Sequence, residues 1–313
     1  MDLLWILQDG VQYGLIWAIM GIGVFISYRL LDIADLGAEG TFPLGACVGI
    51  IAINSGISPF LALLLALLAG ALGGLVTAVL HTLLKIPSLL AGIITMTSLY
   101  SINLHILSNR ATVSLINSQN TIFKPLNNLF STNLWGLVIT SIIIIVLVFS
   151  ILYWFFGTEI GIAIRATGKN KTMAKAQGIN TNVMIIIGLC LSNALIAMSG
   201  CIFAQSQAYS DVNMGRGTIV IGLAAIILGE SIFGKRSFFN NLLSIILGSI
   251  CYFLLQDVAL ELGLNPNDLK LLQSILIVVF LCAPLFQNII SNKLAHHDKK
   301  SRIKFGGGKN ASD

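Results

Sequence analysis

Along this chain, long apolar runs alternate with short polar breaks. Eight runs are long: Val11 to Tyr28, Phe60 to Leu84, Leu89 to Leu107, Leu134 to Phe156, Val183 to Phe203, Thr218 to Phe233, Phe238 to Leu255 and Leu269 to Phe286. A ninth, Thr41 to Ile53, is shorter and contains glycine. A hydrocarbon core of roughly 30 Å takes about 20 helical residues to cross. A backbone without water must satisfy its own hydrogen bonds, so these runs are expected to be helices, and they are too long for the strands of a membrane β-barrel. The pattern therefore predicts an all-α polytopic membrane protein of about 8–10 transmembrane helices, with no soluble domain. Residues 1–292 form one transmembrane domain, and 293–313 form a basic, Gly-rich tail expected to be disordered.

Composition agrees. Of 313 residues, 56% are hydrophobic and only 10% charged, with a mean hydropathy of +0.90, far outside the soluble range. Starting the chain outside and alternating through nine segments places Arg29, Lys85, the four cations between Glu159 and Asn182, Lys235, Arg236 and the six of the tail on one side, 14 of the 18. That bias marks the side as cytoplasmic. The expectation is a multi-pass protein of the bacterial plasma (inner) membrane, N-terminus outside and C-terminus cytoplasmic. The net charge of +5 then reflects topology and contact with the anionic lipid bilayer, with no nucleic-acid partner. The first run lacks a basic flank and a small-residue cleavage site, so it is expected to be retained. The five cysteines lie in apolar runs without CxxC spacing, which argues for packing rather than metal or disulfides.

An internal echo fits the same layout. Gly40-Thr41-Phe-Pro-Leu-Gly45 returns as Gly217-Thr218-Ile-Val-Ile-Gly222, and Pro87-Ser88-x-Leu90 returns loosely as Pro266-Asn267-x-Leu269. Under the expected topology Thr41 heads outward and Thr218 inward, the sign of an inverted repeat with a substrate route at its interface. Chance is the alternative, since GTxxxG is short in a chain with 30 glycines. Asp35 and Glu39 lie just before Thr41 in ADLGAEGTF. At membrane depth they would face a cavity or another helix as part of a broken helix lining the route. In a cytoplasmic loop Asp32, Asp35 and Glu39 would be merely solvated, with Thr41 capping the next helix. The shortness of the Thr41 to Ile53 run favours the broken helix.

The polar, basic stretch 158–181 interrupts the apolar runs and reads as one or two short helices. Small residues and a modest apolar face (Ile162, Ile164, Met173, Ile179) alternate with Arg165, Lys169, Lys171 and Lys175. An amphipathic helix resting on lipid would carry bulkier anchors such as Trp, Phe or Leu. Their absence favours a protein groove, with the cations at its rim.

RATGKNKTMAKAQGIN, Arg165 to Asn180, resembles the cytoplasmic coupling loop of permease subunits of bacterial ABC importers of the branched-chain amino acid and ribose type. GTIVIGLAAIILGESIFGK resembles the family's following helix, and ADLGAEGTFPLGA its early motif in the ribose-type branch. The resemblance covers nearly the whole chain. It implies cytoplasmic ABC ATPase subunits docked on this loop, an extracytoplasmic solute-binding protein, and a second permease copy as homodimer or heterodimer. It also implies an ATPase-coupling role for Gly161, Arg165, Ala166, Gly168, Asn170, Ala174, Gly178 and Ile179. Gly37-Ala38-Glu39 departs from the pattern of the ribose-type members, which puts a sugar substrate in doubt.

The chain has no GxxxxGK[ST] sequence, so it is expected to carry no cofactor, with ATP and Mg bound by partner subunits. Nor does it show a nucleophile or metal constellation, so it is not expected to be an enzyme. For the translocation route the candidates are Asp35, Glu39, Gly40, Thr41, Ser98, Asn103, Asn193, Gly217 and Thr218. Ser98 and Ser192 have a plainer use in helix packing, Glu230 in an ion pair with Lys235 or Arg236, and His105 as a wet interfacial residue. The Asn- and Ser-rich stretch 108–133 is either binding-protein contact or a hydrophilic connector. The expected function is an ATP-driven importer permease for a small organic solute, an amino acid being preferred because no basic cluster lines the runs. The alternative is an ion-coupled secondary transporter using Asp35 and Glu39.

Overall fold

The computed structural model describes residues 3–116, 121–127, 133–234 and 237–265, with scattered positions between 268 and 279. The apolar runs form α1 (Leu3–Val24, extended by a π-helical turn, Phe25–Leu30), α2 (Ala38–Asn54), α3 (Pro59–Thr82) and α4 (Ser88–Ile106). Next come a short strand β1 (Thr112–Ser114), α5 (Lys124–Asn127), α6 (Asn133–Gly157), α7 (Glu159–Lys169) and α8 (Lys171–Ala176). The series ends with α9 (Thr181–Gln207), β2 (Tyr209–Asp211), α10 (Thr218–Phe233) and α11 (Phe238–Glu261). Side-chain caps set several of the starts. Ser58, Thr158, Asn170, Asn180 and Ser237 each accept from a backbone N–H of the first turn, and Pro59 follows Ser58 where its missing N–H costs nothing.

Among the described residues six helices are long and apolar enough to cross a membrane, while α2 and α10 are shorter. Thr218 to Phe233 is thus corrected from a full span to a partial one of 16 residues. The run Leu269 to Phe286 lies mainly outside the described residues, as do Pro266 and Asn267 of the echo and the tail 293–313.

The helix α9 rises about 40 Å at 1.5 Å per residue. One of its ends carries α7 and α8, and the other carries the antiparallel β1–β2 pair, in which Val113 faces Ser210. That pair was not expected from the sequence. It ties part of the 108–133 stretch to the body, and Leu115, Ile122 and Phe123 are buried, so this part is no plain hydrophilic connector.

Small residues let the helices approach closely. A Cβ on Gly45 or Gly74 would overlap backbone carbonyls of α9, those of Ala197 and Leu189. Ser192 donates to the Gly23 carbonyl (2.7 Å) and Ser199 to that of Ile16 (2.8 Å), pinning α1 antiparallel to α9. Trp17, Phe42, Phe203 and Phe253 form an aromatic core between α1, α2, α9 and α11. Leucines 64, 68 and 72 of α3 and Ile143, Val146 and Leu147 of α6 are exposed, an apolar outer belt suited to lipid.

Candidate functional site: two opposed short helices and the cavity between them

Both short helices start in mid-protein, each after a non-helical approach from the opposite end. From the α7 end, Leu31–Gly37 climbs beside α3, α4 and α9. Asp32 is exposed, but Asp35 is buried with 6% exposure. Asp35 Oδ1 accepts from the Gly37 N–H (2.8 Å) and Oδ2 from Asn193 Nδ2 (2.7 Å). Asn193 sits near the middle of α9 and returns its Oδ1 to the Thr41 hydroxyl (2.8 Å). The approach is packed too tightly for side chains, since a Cβ on Gly92 would sit 2.6 Å from the Leu36 nitrogen. Irregular backbone at this depth is held by protein partners, as the absence of water requires. The broken-helix reading of 31–53 therefore holds for Asp35. The solvated-loop reading holds only for Asp32, and Gly37, not Thr41, stands at the cap of α2.

From the β1–β2 end, residues 212–217 descend alongside α2. Gly217 adopts φ +85 as the cap of α10, which suits glycine. Its N–H donates to Glu39 Oε1 (3.1 Å), and Thr218 Oγ1 donates to the Gly215 carbonyl (2.9 Å). The GT echo thus has a spatial counterpart: the starts of α2 and α10 meet, and the helices run away from each other. The positions two residues before Thr41 and one before Gly217 are equivalent in the repeat, and they hold opposite charges, Glu39 and Arg216.

A cavity of about 410 Å³ opens where they meet, bounded by Glu39, Met96, Tyr100, Asn103, Val212 and Arg216. Asn103 is fully buried. Its Nδ2 donates to the Gly40 carbonyl (3.2 Å), while its Oδ1 has no donor. Glu39 and Arg216 form no ion pair with each other; Arg29–Glu230 is the ion pair seen among the described residues.

Of the route candidates, Asp35, Glu39, Gly40, Thr41, Asn103, Asn193, Gly217 and Thr218 are brought together, and Ser98 is not. Ser98 stands on the exposed side of α4 with Ile94 and Ser101 and does not line the cavity. Arg216, Tyr100 and Met96 were missed. For Arg216 the signal was available in the echo itself, extended by one residue. Glu230 pairs with Arg29 (2.9 Å); Lys235 and Arg236, the partners expected from the sequence, lie outside the described residues.

At the other end, α7 and α8 form a bent pair joined at Asn170, whose Oδ1 accepts from the Met173 N–H (3.0 Å). The eight coupling positions mostly build this shape. Gly161 packs on the Phe155–Phe156 backbone and Gly168 against the Leu30 carbonyl. Arg165 lies over the Phe238 ring, 5.4 Å from its centre. Ala174 is buried, Ala166 half-buried, and Gly178 takes the left-handed φ of +81 that lets the Ile179 N–H return to the Ala174 carbonyl. The outward side chains are others: Ile162, Lys169, Lys171, Met173 and Lys175, with Met173 63% exposed.

A family model described as branched-chain amino acid transport system / permease component matches residues 6–282. The tyrosine transport system permease protein of Clostridioides difficile (strain R20291) is 40% identical over 270 residues, covering 85% of this chain and 87% of that protein. An uncharacterized protein of Rickettsia prowazekii (strain Madrid E) is 33% identical over 282 residues, 88% of this chain and 96% of its own length. The galactofuranose transporter permease protein YtfT of Escherichia coli (strain K12) is 28% identical over 301 residues, 90% of this chain and 82% of its own. No solved structure matches the chain.

Proposed function

The chain belongs to the family of branched-chain amino acid transport system permease components, and on that footing we propose that it is the membrane subunit of an ATP-driven importer carrying a small amino acid-like solute. The observation that carries the reading is the pairing of two features in one body. A docking element, α7–α8, stands at one end of the long helices, and a charged cavity lies at mid-protein, walled by the start of α2, by α4 and by the segment 212–216 that leads into α10. Cytoplasmic ATPase subunits would seat on the outward side chains Ile162 and Met173, with Lys169, Lys171 and Lys175 at the rim. On this reading α7–α8 would face the cytoplasm and the β1–β2 end would lie outside a bacterial plasma membrane, where a solute-binding protein would deliver its cargo. A second permease copy would complete the route.

Coupling follows from packing. Gly168 rests on the Leu30 carbonyl and Gly188 of α9 on Leu31, at the foot of the segment that climbs to Asp35 and Glu39. A displacement of α7 by the ATPases would be passed to the floor of the cavity through these close contacts, which switch between arrangements rather than bend. The amino acid preference is supported by the tyrosine-transport relative and by a cavity that carries both charge signs.

The test is affinity purification of the chain from its native membrane followed by a vanadate-sensitive ATPase assay, comparing wild type with Met173→Glu. An ATP-binding subunit should accompany the wild type and be lost from the variant. If gentle extraction brings no ATPase with the wild type, the importer reading fails, and ion-coupled transport through Asp35 and Glu39 takes its place.

A further inference from the structure

We infer that the cavity at the meeting of α2 and α10 is the substrate-holding station of the route, and that it takes an α-amino acid as the zwitterion. Glu39 and Asn103 would receive the ammonium, Arg216 the carboxylate, and Tyr100 with Met96 the side chain. This deepens the importer reading by naming a substrate class and its contacts, and rests on that reading for the direction of transport.

Five observations converge. The volume of about 410 Å³ falls in the range of roughly 300–1,000 Å³ usual for small-molecule sites. Glu39 spends one carboxylate oxygen on the Gly217 N–H, which leaves the other without a donor among the described residues. Asn103, a lining residue, fixes its amide nitrogen on the Gly40 carbonyl and leaves Oδ1 without a donor, buried just beneath the cavity surface. A buried acceptor without a donor is costly, and an ammonium supplies one. Arg216 has no carboxylate partner among the described residues, and a guanidinium recognises a carboxylate through two parallel N–H bonds. Tyr100, Met96 and Val212 provide the less polar wall.

The arrangement excludes as well as admits. An amine without a carboxylate would leave Arg216 unmatched. A carboxylate without an amine would face Glu39. Single-sign solutes are therefore expected to bind poorly.

The experiment is saturation-transfer NMR on the full chain in lipid nanodiscs, with empty nanodiscs subtracted. The probes are L-tyrosine, tyramine and 3-(4-hydroxyphenyl)propanoate, and no ATPase is needed. L-tyrosine should show transfer at millimolar concentration and the two single-charge analogues at least tenfold less. Arg216→Met and Asn103→Leu should each weaken L-tyrosine at least tenfold, and Arg216→Lys should recover part of the loss, which separates charge from folding. Equal transfer from all three probes, unchanged transfer in Arg216→Met and Asn103→Leu, or none from L-tyrosine overturns the inference. Failure of the importer reading appears elsewhere, as a missing ATPase in the co-purification, and leaves this result interpretable.

Discussion

Asn193 commits its whole amide to one break in the chain. Its Nδ2 meets Asp35 at 2.7 Å and the Leu189 carbonyl at 3.1 Å, and its Oδ1 meets Thr41 at 2.8 Å. Asn193→Leu would leave the Asp35 carboxylate buried on a single donor, at a cost of about 2–3 kcal/mol. Ser98→Ala, on the exposed side of α4, should stay within about 0.5 kcal/mol of wild type. Thermal unfolding in detergent followed by tryptophan fluorescence separates them; equal melting temperatures would mean that the Asn193 tie carries no weight. The members of this cluster were legible singly, because a carboxylate or an amide inside an apolar run needs a partner. Their pairing was not, since Asp35 and Asn193 lie 158 positions apart and nothing local specifies which helix answers which. Arg216 escaped for another reason. Counted only as a stray cation, it was not set against Glu39, although the echo extended by one residue aligns the two.

Among the elements, α7 and α8 show how far a motif can be read. Sequence located the pair, its helical character and its polar surroundings, but not which side chains turn outward. That depends on packing against Leu30, Phe155, Phe156 and Phe238. Small residues in the motif serve close approach within the protein. Gly168→Val is therefore expected to leave Met173 and the ATPase interface in place while lifting α7 from Leu30. ATPase subunits should still co-purify, and solute uptake per ATP hydrolysed should fall severalfold. Retention of full uptake by Gly168→Val in reconstituted vesicles would show that the seam at Leu30 does not transmit the motion. The short helices were read unevenly for a related reason. Thr41 to Ile53 looked too short to span and is so. Thr218 to Phe233 looked sufficient because hydropathy does not reveal where a helix starts, whereas the Gly217 backbone fixes its start at mid-depth.

Over the whole molecule, the two approaches give the cavity a sidedness that a single continuous helix could not. Leu31–Gly37 is sealed, with Asp35 buried and Gly37 and Gly92 closed on their neighbours. The descent from β2 to Gly217 is looser: Arg216 is exposed, and so are Tyr100 and Thr97 on the facing side of α4. In this conformation the cavity should communicate with the β1–β2 end. Single cysteines at Arg216, at Ile116 beside β1 (84% exposed) and at Met173 on α8 (63% exposed) test this in intact cells with a membrane-impermeant thiol reagent. The native cysteines at 47 and 201 are buried and those at 190 and 251 partly so, and a variant with all five native cysteines replaced by alanine serves as background. Arg216→Cys and Ile116→Cys should label from outside, and Met173→Cys only after permeabilisation. Labelling of Arg216→Cys that required permeabilisation, with Ile116→Cys still labelled from outside, would mean that the cavity faces the ATPase end. The sealed and open approaches would then have to exchange roles. Labelling of Met173→Cys from outside would invert the whole assignment of faces, because α9 alone separates the two ends and fixes them on opposite sides.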